Sequence, residues 1–392
     1  MKVRAQPNVV QRSFAAAKML LRHGGLGVAS PIEGLWNIGG SDDVGGWTVS
    51  GILPAANMPK QLSGVADPAL RRRLRAGLNT PKKIDGAIFR NGRFFQPSLA
   101  TMDQANRLLY DYSFGWTDLV AGNNGVFALS RLPPIYHLKG RALVLDTRGH
   151  AGNYFHWLIE AAPRMAWVEA ITGALSQVDH YILGLTDSKY VRDTLGRLGF
   201  EDRKWIDSRR YPHLQADELI VFSDTREFVH PETARRLQEW FLSREKVAGP
   251  SPRAIYVSRG PKSSRQALNE AEAVAFFETE GVSVVEMDDL SVSEQANLFH
   301  GAEVVIAHHG AALANLVFCK QGTRVLEIFP PLYQKPIYWA AAETLGLSYH
   351  AVTGLPPGGE TTESASSLHC SAPFSLDMEA IRVAWKSVCE GL

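Results

Sequence analysis

From residue 141 onward the chain alternates between apolar runs of strand length and stretches of helical period. That alternation restricts its fold more than any other feature. "RALVLD" (141–146), "HYILGL" and "ELIVF" are short and apolar, whereas "DSKYVRDTLGRLGF" and "ETARRLQEWFLSRE", which follow the second and third, repeat apolar side chains at helical spacing. Strands and helices in this order predict βα units on a mostly parallel sheet. "VAGPSPR" (247–253) is a Gly/Pro/Ser break that reads as a linker. Beyond it "AIYVS", "VSVVEM", "EVVIA" and "RVLEIF" read as strands, and "NEAEAVAFFETEG", "SVSEQANLFHGA", "GAALANLVF" and "IYWAAAETLG" as helices. The expected class is α/β, with two Rossmann-like lobes and a cleft between them. The lobes fall at 101–247 and 253–375, followed by a terminal helix at 376–392 with Asp377 as its N-cap. Residues 1–100, rich in Gly and Pro, are expected to be an irregular part of the first lobe.

A chain of 392 residues, 45% hydrophobic and 21% charged, is long enough for two ordinary cores. Its 41 basic and 40 acidic residues nearly cancel, so no electrostatic argument points to nucleic acid. Cys319, Cys370 and Cys389 are too few and too scattered for a disulfide framework or a metal cage, which suits a reducing compartment. No apolar run reaches the roughly 18 residues of a membrane span. "FAAAKMLLRHGG" (14–25) is broken by Lys18 and Arg22, which makes it a poor signal-peptide core. It reads as a surface helix, either in water or lying on a membrane. "RRRLR" (71–75) reads as a solvated face or as a patch for an anionic acceptor or lipid. A cytoplasmic protein is expected, with peripheral association at the inner membrane as an option.

The chemistry concentrates at strand ends. In "EVVIAHHGAALANLVF" (303–318) an apolar run gives way to His308, His309 and Gly310, then to Ala311, Ala312 and a second apolar period. A strand, a tight glycine turn and a helix N-terminus form a ready anion site, and small residues let the backbone approach a phosphate. In "YVSRGPKSSRQALNE" Arg259 follows a strand directly, with Lys262 and Arg265 in the loop beyond; guanidinium groups there suit a diphosphate. Asn269 with Glu272, and Ser291 with Glu294, have the spacing of capping boxes. Glu327, inside the apolar strand "RVLEIF", would accept the hydroxyls of a ribose or pair with an arginine. In "HAGNYFHWLIEAAPRM" (150–165) His156 and Glu160 lie four apart and share one face of a helix, a geometry that fixes the tautomer of a general base. His150 is the alternative base, Asn153 a candidate cap, and Pro163 a kink or stop.

Taken together, "SRGPKSSRQALNE", "LSVSEQANLFHGAEVVIAHHGAALANLVF" and "VLEIFP", with "NYFHWLIEAAPRM" before them, closely resemble glycosyltransferase family 61. The likeness runs over about 141–331 and does not extend to residues 1–100. It implies an inverting glycosyltransferase of GT-B fold that uses a nucleotide-sugar, UDP-linked in the characterised eukaryotic members, and a glycan or other hydroxyl acceptor. Bacterial relatives are linked to capsule and surface polysaccharide. On this resemblance Arg259, Arg265, His309 and Gly310 hold the donor diphosphate, and Asn269, Asn315 and Glu327 support the donor pocket. His156 and Glu160 face the cleft from the acceptor lobe. His308 stands where the family often has Pro, so either histidine could touch phosphate. Neither "SDD" (41–43) nor "MDDL" (287–290) has the spacing of an Asp-x-Asp metal clamp, and no metal or other cofactor is expected. A nicotinamide oxidoreductase is disfavoured by the lack of G-x-G-x-x-G after a strand. A non-catalytic sugar-binding protein on the same fold is the other reading.

Overall fold

The computed structural model of the protein describes residues 35–36, 47–55, 59–60, 62–78, 83–104, 106–113, 124–129, 131–150, 152–184, 187–200, 205–225, 227–242, 252–260, 264–357 and 371–390. The expected helix at 14–25, Lys262, Cys370 and most of the linker lie outside them. The chain forms two compact units: Met1–Pro54 with Lys83–Thr225, and Ala55–Lys82 with Arg226–Leu392, as far as those spans are described.

The first unit is built on a mixed sheet. Its strands are β1 (Leu35–Trp36), β2 (Trp47–Leu53), β3 (Ile84–Arg90), β4 (Arg93–Phe95), β5 (Ala100–Met102), β6 (Leu108–Leu109), β7 (Tyr136–Val144), β8 (His180–Ile182), β9 (Trp205–Ile206) and β10 (His213–Phe222). The strands β10, β7, β8 and β9 are parallel, as the βα alternation requires. The other side of β10 pairs antiparallel with β3 and β4 in line, and β4 continues antiparallel to β5. The mostly parallel expectation therefore holds for half of this sheet, and part of 1–100 is regular rather than irregular. Between β3 and β4 the chain kinks at Asn91, whose φ of 52° is left-handed, opposite a break in the register of β10. Phe89, Phe94, Leu138, Ala142, Val144, Ile182, Leu214, Leu219 and Val221 bury the face between these strands and their cover.

The second unit holds a wholly parallel sheet of β11 (Ala254–Ser258), β12 (Ser283–Glu286), β13 (Val304–His308), β14 (Arg324–Phe329) and β15 (Ser348–Thr353), in the order β12-β11-β13-β14-β15. Strands buried on both faces read as continuous apolar runs, which is why β11, β13 and β14 were legible. The helices Glu270–Thr279 and Met378–Cys389 pack Phe277, Ile381 and Trp385 against Tyr256, Ile306, Leu326 and Ile328. Asp377 caps the last helix as expected, accepting from Ala380 N at 3.0 Å. Ser291 and Glu294 form their capping box. Residues 55–82 join this unit rather than the first lobe. Gly64 bridges to His350 of β15, and a Cβ at Gly64 would stand 2.2 Å from the Tyr349 carbonyl. The close approach covers an otherwise open sheet edge. On the helix Pro68–Gly77 that follows, Arg72, Arg73 and Arg75 are exposed, while Arg71 donates to the Val65 and Ala66 carbonyls.

Candidate active site

In a doubly wound sheet of order 2-1-3-4-5, ligands bind beyond the carboxyl ends of the first and third strands, where the chain reverses its direction of winding. Here those strands are β11 and β13, and the residues directly after them are Arg259 and the pair His309–Gly310. The two ends are joined. The Arg259 guanidinium donates from Nη1 to the His309 carbonyl at 2.9 Å and from Nη2 to the Ser264 carbonyl at 3.1 Å. Gly310 is needed beneath it, because a Cβ there would lie 2.6 Å from Arg259 Nη1. The backbone of Gly310 is fully extended, so the requirement is one of space and not of conformation.

Residues 311–318 form a 3-10 helix rather than the expected α-helix. Its first internal bond runs from Leu313 N to the Gly310 carbonyl, so the amides of Ala311 and Ala312 precede it and point toward the start of the helix. Arg265 adds a second guanidinium. Its φ of 59° is left-handed, a costly conformation for a side chain of this size, and its Nε is buried without a hydrogen-bond partner. The guanidinium stacks over Tyr333 at 4.5 Å. Burial, and then the charge of Arg265, lower the Arg259 pKa, as expected of two cations held close together. Two adjacent guanidiniums with amides beside them are the makings of an anion site.

The two histidines differ. His308 Nε2 lies 2.7 Å from the Tyr256 hydroxyl, which is 3.2 Å from Glu270 Oε1. Burial, and then Arg259, push the His308 pKa down to about 3, so the ring is neutral at physiological pH and brings no charge to a phosphate. His309 donates from Nδ1 to Glu327, and its ring stacks on Phe329 with centroids 5.0 Å apart. Its Nε2 is the nitrogen left for a ligand. Glu327, fully buried, also accepts from the Tyr349 hydroxyl, which burial and the carboxylate keep protonated. Among the described residues its partners are His309 and Tyr349 rather than an arginine. Replacing Glu327 with Ala should cost about 3 kcal/mol, since it strips two buried donors of their acceptor. Urea unfolding measures this, and a midpoint equal to the parent's would refute it.

Two further expected residues bond to neighbours within the second unit. Asn269 begins the helix Glu270–Thr279 without a side-chain capping bond; its amide instead clamps Leu376, donating to the carbonyl at 3.2 Å and accepting from the amide at 2.7 Å. Asn315 is buried and donates to Gln295 at 2.8 Å. Both build the unit behind the strand ends.

In the first unit His156 and Glu160 meet as expected, with His156 Nδ1 at 2.8 Å from Glu160 Oε2. The segment His156–Ala161 is a π-helix, not an α-helix. Pro163 has no N–H and its ring would crowd an α-helical carbonyl, so the widened turn, closed by Ala162 N to the Trp157 carbonyl, relieves it. Asn153 caps the start by accepting from Phe155 N at 2.9 Å. Burial pushes the Glu160 carboxyl upward, but the hydrogen bond from His156 and the charges of His156, Arg148 and Arg164 outweigh it and hold the group below its ordinary range. His150 is held by its Nδ1, 2.8 Å from the Thr147 carbonyl; its buried Nε2 lies 3.1 Å from Asp146 Oδ1 without a hydrogen bond.

Residues 154–326 match the family model described as Glycosyltransferase 61. Over that span the chain is similar to glycosyltransferase family 61. The family 61 match begins two residues before His156 and ends one before Glu327, so it takes in part of each cluster and parts of both units. A stretch of 63 residues is 36% identical to beta-1,2-xylosyltransferase RCN11 of Oryza sativa subsp. japonica, covering 16% of this chain and 12% of the rice protein. Among the described residues no helix is long and apolar enough to cross a membrane. Sequence reasoning missed Tyr349 and Tyr256, the partners of Glu327 and His308, and also Arg148, Arg164 and Asp224. The signal for Asp224 was present, in a polar residue just beyond the apolar run "ELIVF".

Proposed function

We propose that this chain is an inverting glycosyltransferase that moves a sugar from a nucleotide diphosphate to a hydroxyl group of a glycan. One observation carries this reading: Arg259 crosses Gly310 where the sheet reverses its winding, with Arg265 beside it. In the reaction the acceptor oxygen attacks the anomeric carbon on the face opposite the diphosphate. His156, oriented by Glu160, takes the hydroxyl proton as the new C–O bond forms. The bond from carbon to phosphate oxygen breaks, and the electron pair leaves with the diphosphate. Its charge falls on Arg259, Arg265, His309 Nε2 and the amides of Ala311 and Ala312, a preorganised set.

The donor favoured is a UDP-sugar, and the acceptor a surface or capsular polysaccharide. Because the rice protein is named a xylosyltransferase, UDP-xylose is the first donor to test, followed by UDP-arabinose and UDP-N-acetylglucosamine. Acceptor-dependent release of UDP is the expected result, and its absence with every nucleotide-sugar would favour a binding protein. Arg259→Ala should raise the Kd for UDP about thirtyfold, or about 2 kcal/mol, the scale of hydrogen bonds to a charged group. Calorimetry measures it, and an unchanged Kd would remove the diphosphate from this position.

A further inference from the structure

The two guanidiniums at the strand ends are held differently. Arg259 donates to two carbonyls, whereas among the described residues the Arg265 side chain has no hydrogen-bond acceptor and no carboxylate partner. Its Nε is buried all the same, and its left-handed backbone is fixed by the bond from its amide to the Ser371 carbonyl at 3.0 Å. A strained backbone and an unpaired buried donor both cost free energy, and they persist where they serve a site. What the guanidinium does have is an aromatic face, with its Cζ 4.5 Å from the centroid of Tyr333. The sequence explains why that ring is there. Tyr333 closes a turn after β14, its amide donating to the Pro330 carbonyl at 3.2 Å, with Pro331 at the second position of the turn. The turn brings the Tyr333 ring onto His309, at 5.2 Å between centroids and 64° between planes, next to the stack of His309 on Phe329. Gln334 ties the segment to the end of β15 by donating to the Thr353 hydroxyl at 3.1 Å. Lys335, a second cation near the ring, lies farther off at 5.8 Å and is paired with Glu227 at 3.5 Å.

We propose that Tyr333 is a positioning residue for donor binding: the ring that meets His309 also holds the Arg265 guanidinium, with its N–H groups left open to the diphosphate. The proposal rests on the reading of Arg265 as a diphosphate ligand. A carboxylate in the place of the ring would take those N–H groups and cancel the charge. An aromatic face attracts the cation and occupies none of its donors. An arginine that rotates in solvent loses rotamer freedom when it meets a ligand, and one already held on a ring loses less. This role needs the ring of Tyr333 and not its hydroxyl.

The test is UDP binding by the full chain, measured by calorimetry. Arg265→Ala should raise the Kd about thirtyfold. The ring is removed in two ways, Tyr333→Leu and Tyr333→Met, and each should raise the Kd about tenfold, the scale of a partly desolvated contact between a cation and a ring. If one of these variants does not fold, the other carries the comparison. Tyr333→Phe keeps the ring and should bind UDP as the parent does. In the Arg265→Ala background, loss of the ring should change the Kd by less than about threefold, because residues in contact are not additive. A ring that merely supports the fold would cost the same factor in both backgrounds, and that result overturns the proposal. So does a Tyr333→Phe variant that binds as weakly as the ring-less ones, or parent-like binding by the ring-less variants while Arg265→Ala binds weakly. Unchanged affinity in Arg265→Ala is a separate failure: it removes Arg265 from the diphosphate, and with it the reading on which the proposal rests.

Discussion

Turnover of His156→Ala is expected to fall about a hundredfold or more, with the affinity for UDP unchanged. The split follows from where the residue sits. His156 belongs to the first unit, and Arg259, Arg265, His309 and Gly310 to the second. On the proposed mechanism, removing the imidazole takes away the group that receives the acceptor's proton and leaves the diphosphate contacts intact. Glu160→Gln should give a smaller loss, because an amide oxygen still accepts from Nδ1 but carries no charge to stabilise the protonated ring. Initial rates of UDP release and calorimetry with UDP separate the two effects. Near-normal turnover in His156→Ala would mean that the base lies elsewhere. A matching loss of UDP affinity would mean that the variant had disturbed the donor unit as well.

Gly310→Ala should weaken UDP binding thirtyfold to a hundredfold, on the order of 2–3 kcal/mol, while leaving the fold nearly as stable as before. The added Cβ would meet Arg259 Nη1 at 2.6 Å, and that atom is the far end of a flexible side chain. The guanidinium can swing away without backbone movement, so the strain is relieved at the expense of the ligand contact. This argument makes a sharper demand. If the alanine acts only by displacing Arg259, then adding it to Arg259→Ala should cost little more, since residues in contact are not additive. Calorimetry on the two single variants and the double variant completes the cycle. Fully additive losses would show that Gly310 serves the ligand directly and not through Arg259.

Where strands are buried on both faces the chain spells them out as unbroken apolar runs, and β11, β13 and β14 of the second unit were readable for that reason. The i, i+4 spacing of His156 and Glu160 was enough to bring them together even though the helix widened into a π turn. The Ser291–Glu294 box and the Asp377 cap follow from local chemistry that needs no tertiary partner. The antiparallel strands β3 and β4 gave no such signal, because β4 has only three residues and the register of both is set by β10, more than a hundred residues away.

The sequence by itself determined the α/β class, the strand ends that carry arginine and histidine, and the pairing of His156 with Glu160. Only the tertiary structure decided what each polar side chain faces. Glu327 answers to His309 and Tyr349, Asn269 to Leu376, and His308 to Tyr256, across separations that no local pattern encodes. The reason is physical. Hydrophobic periodicity is written into neighbouring residues, whereas a buried polar group is satisfied by whatever donor or acceptor the packed sheet places beside it.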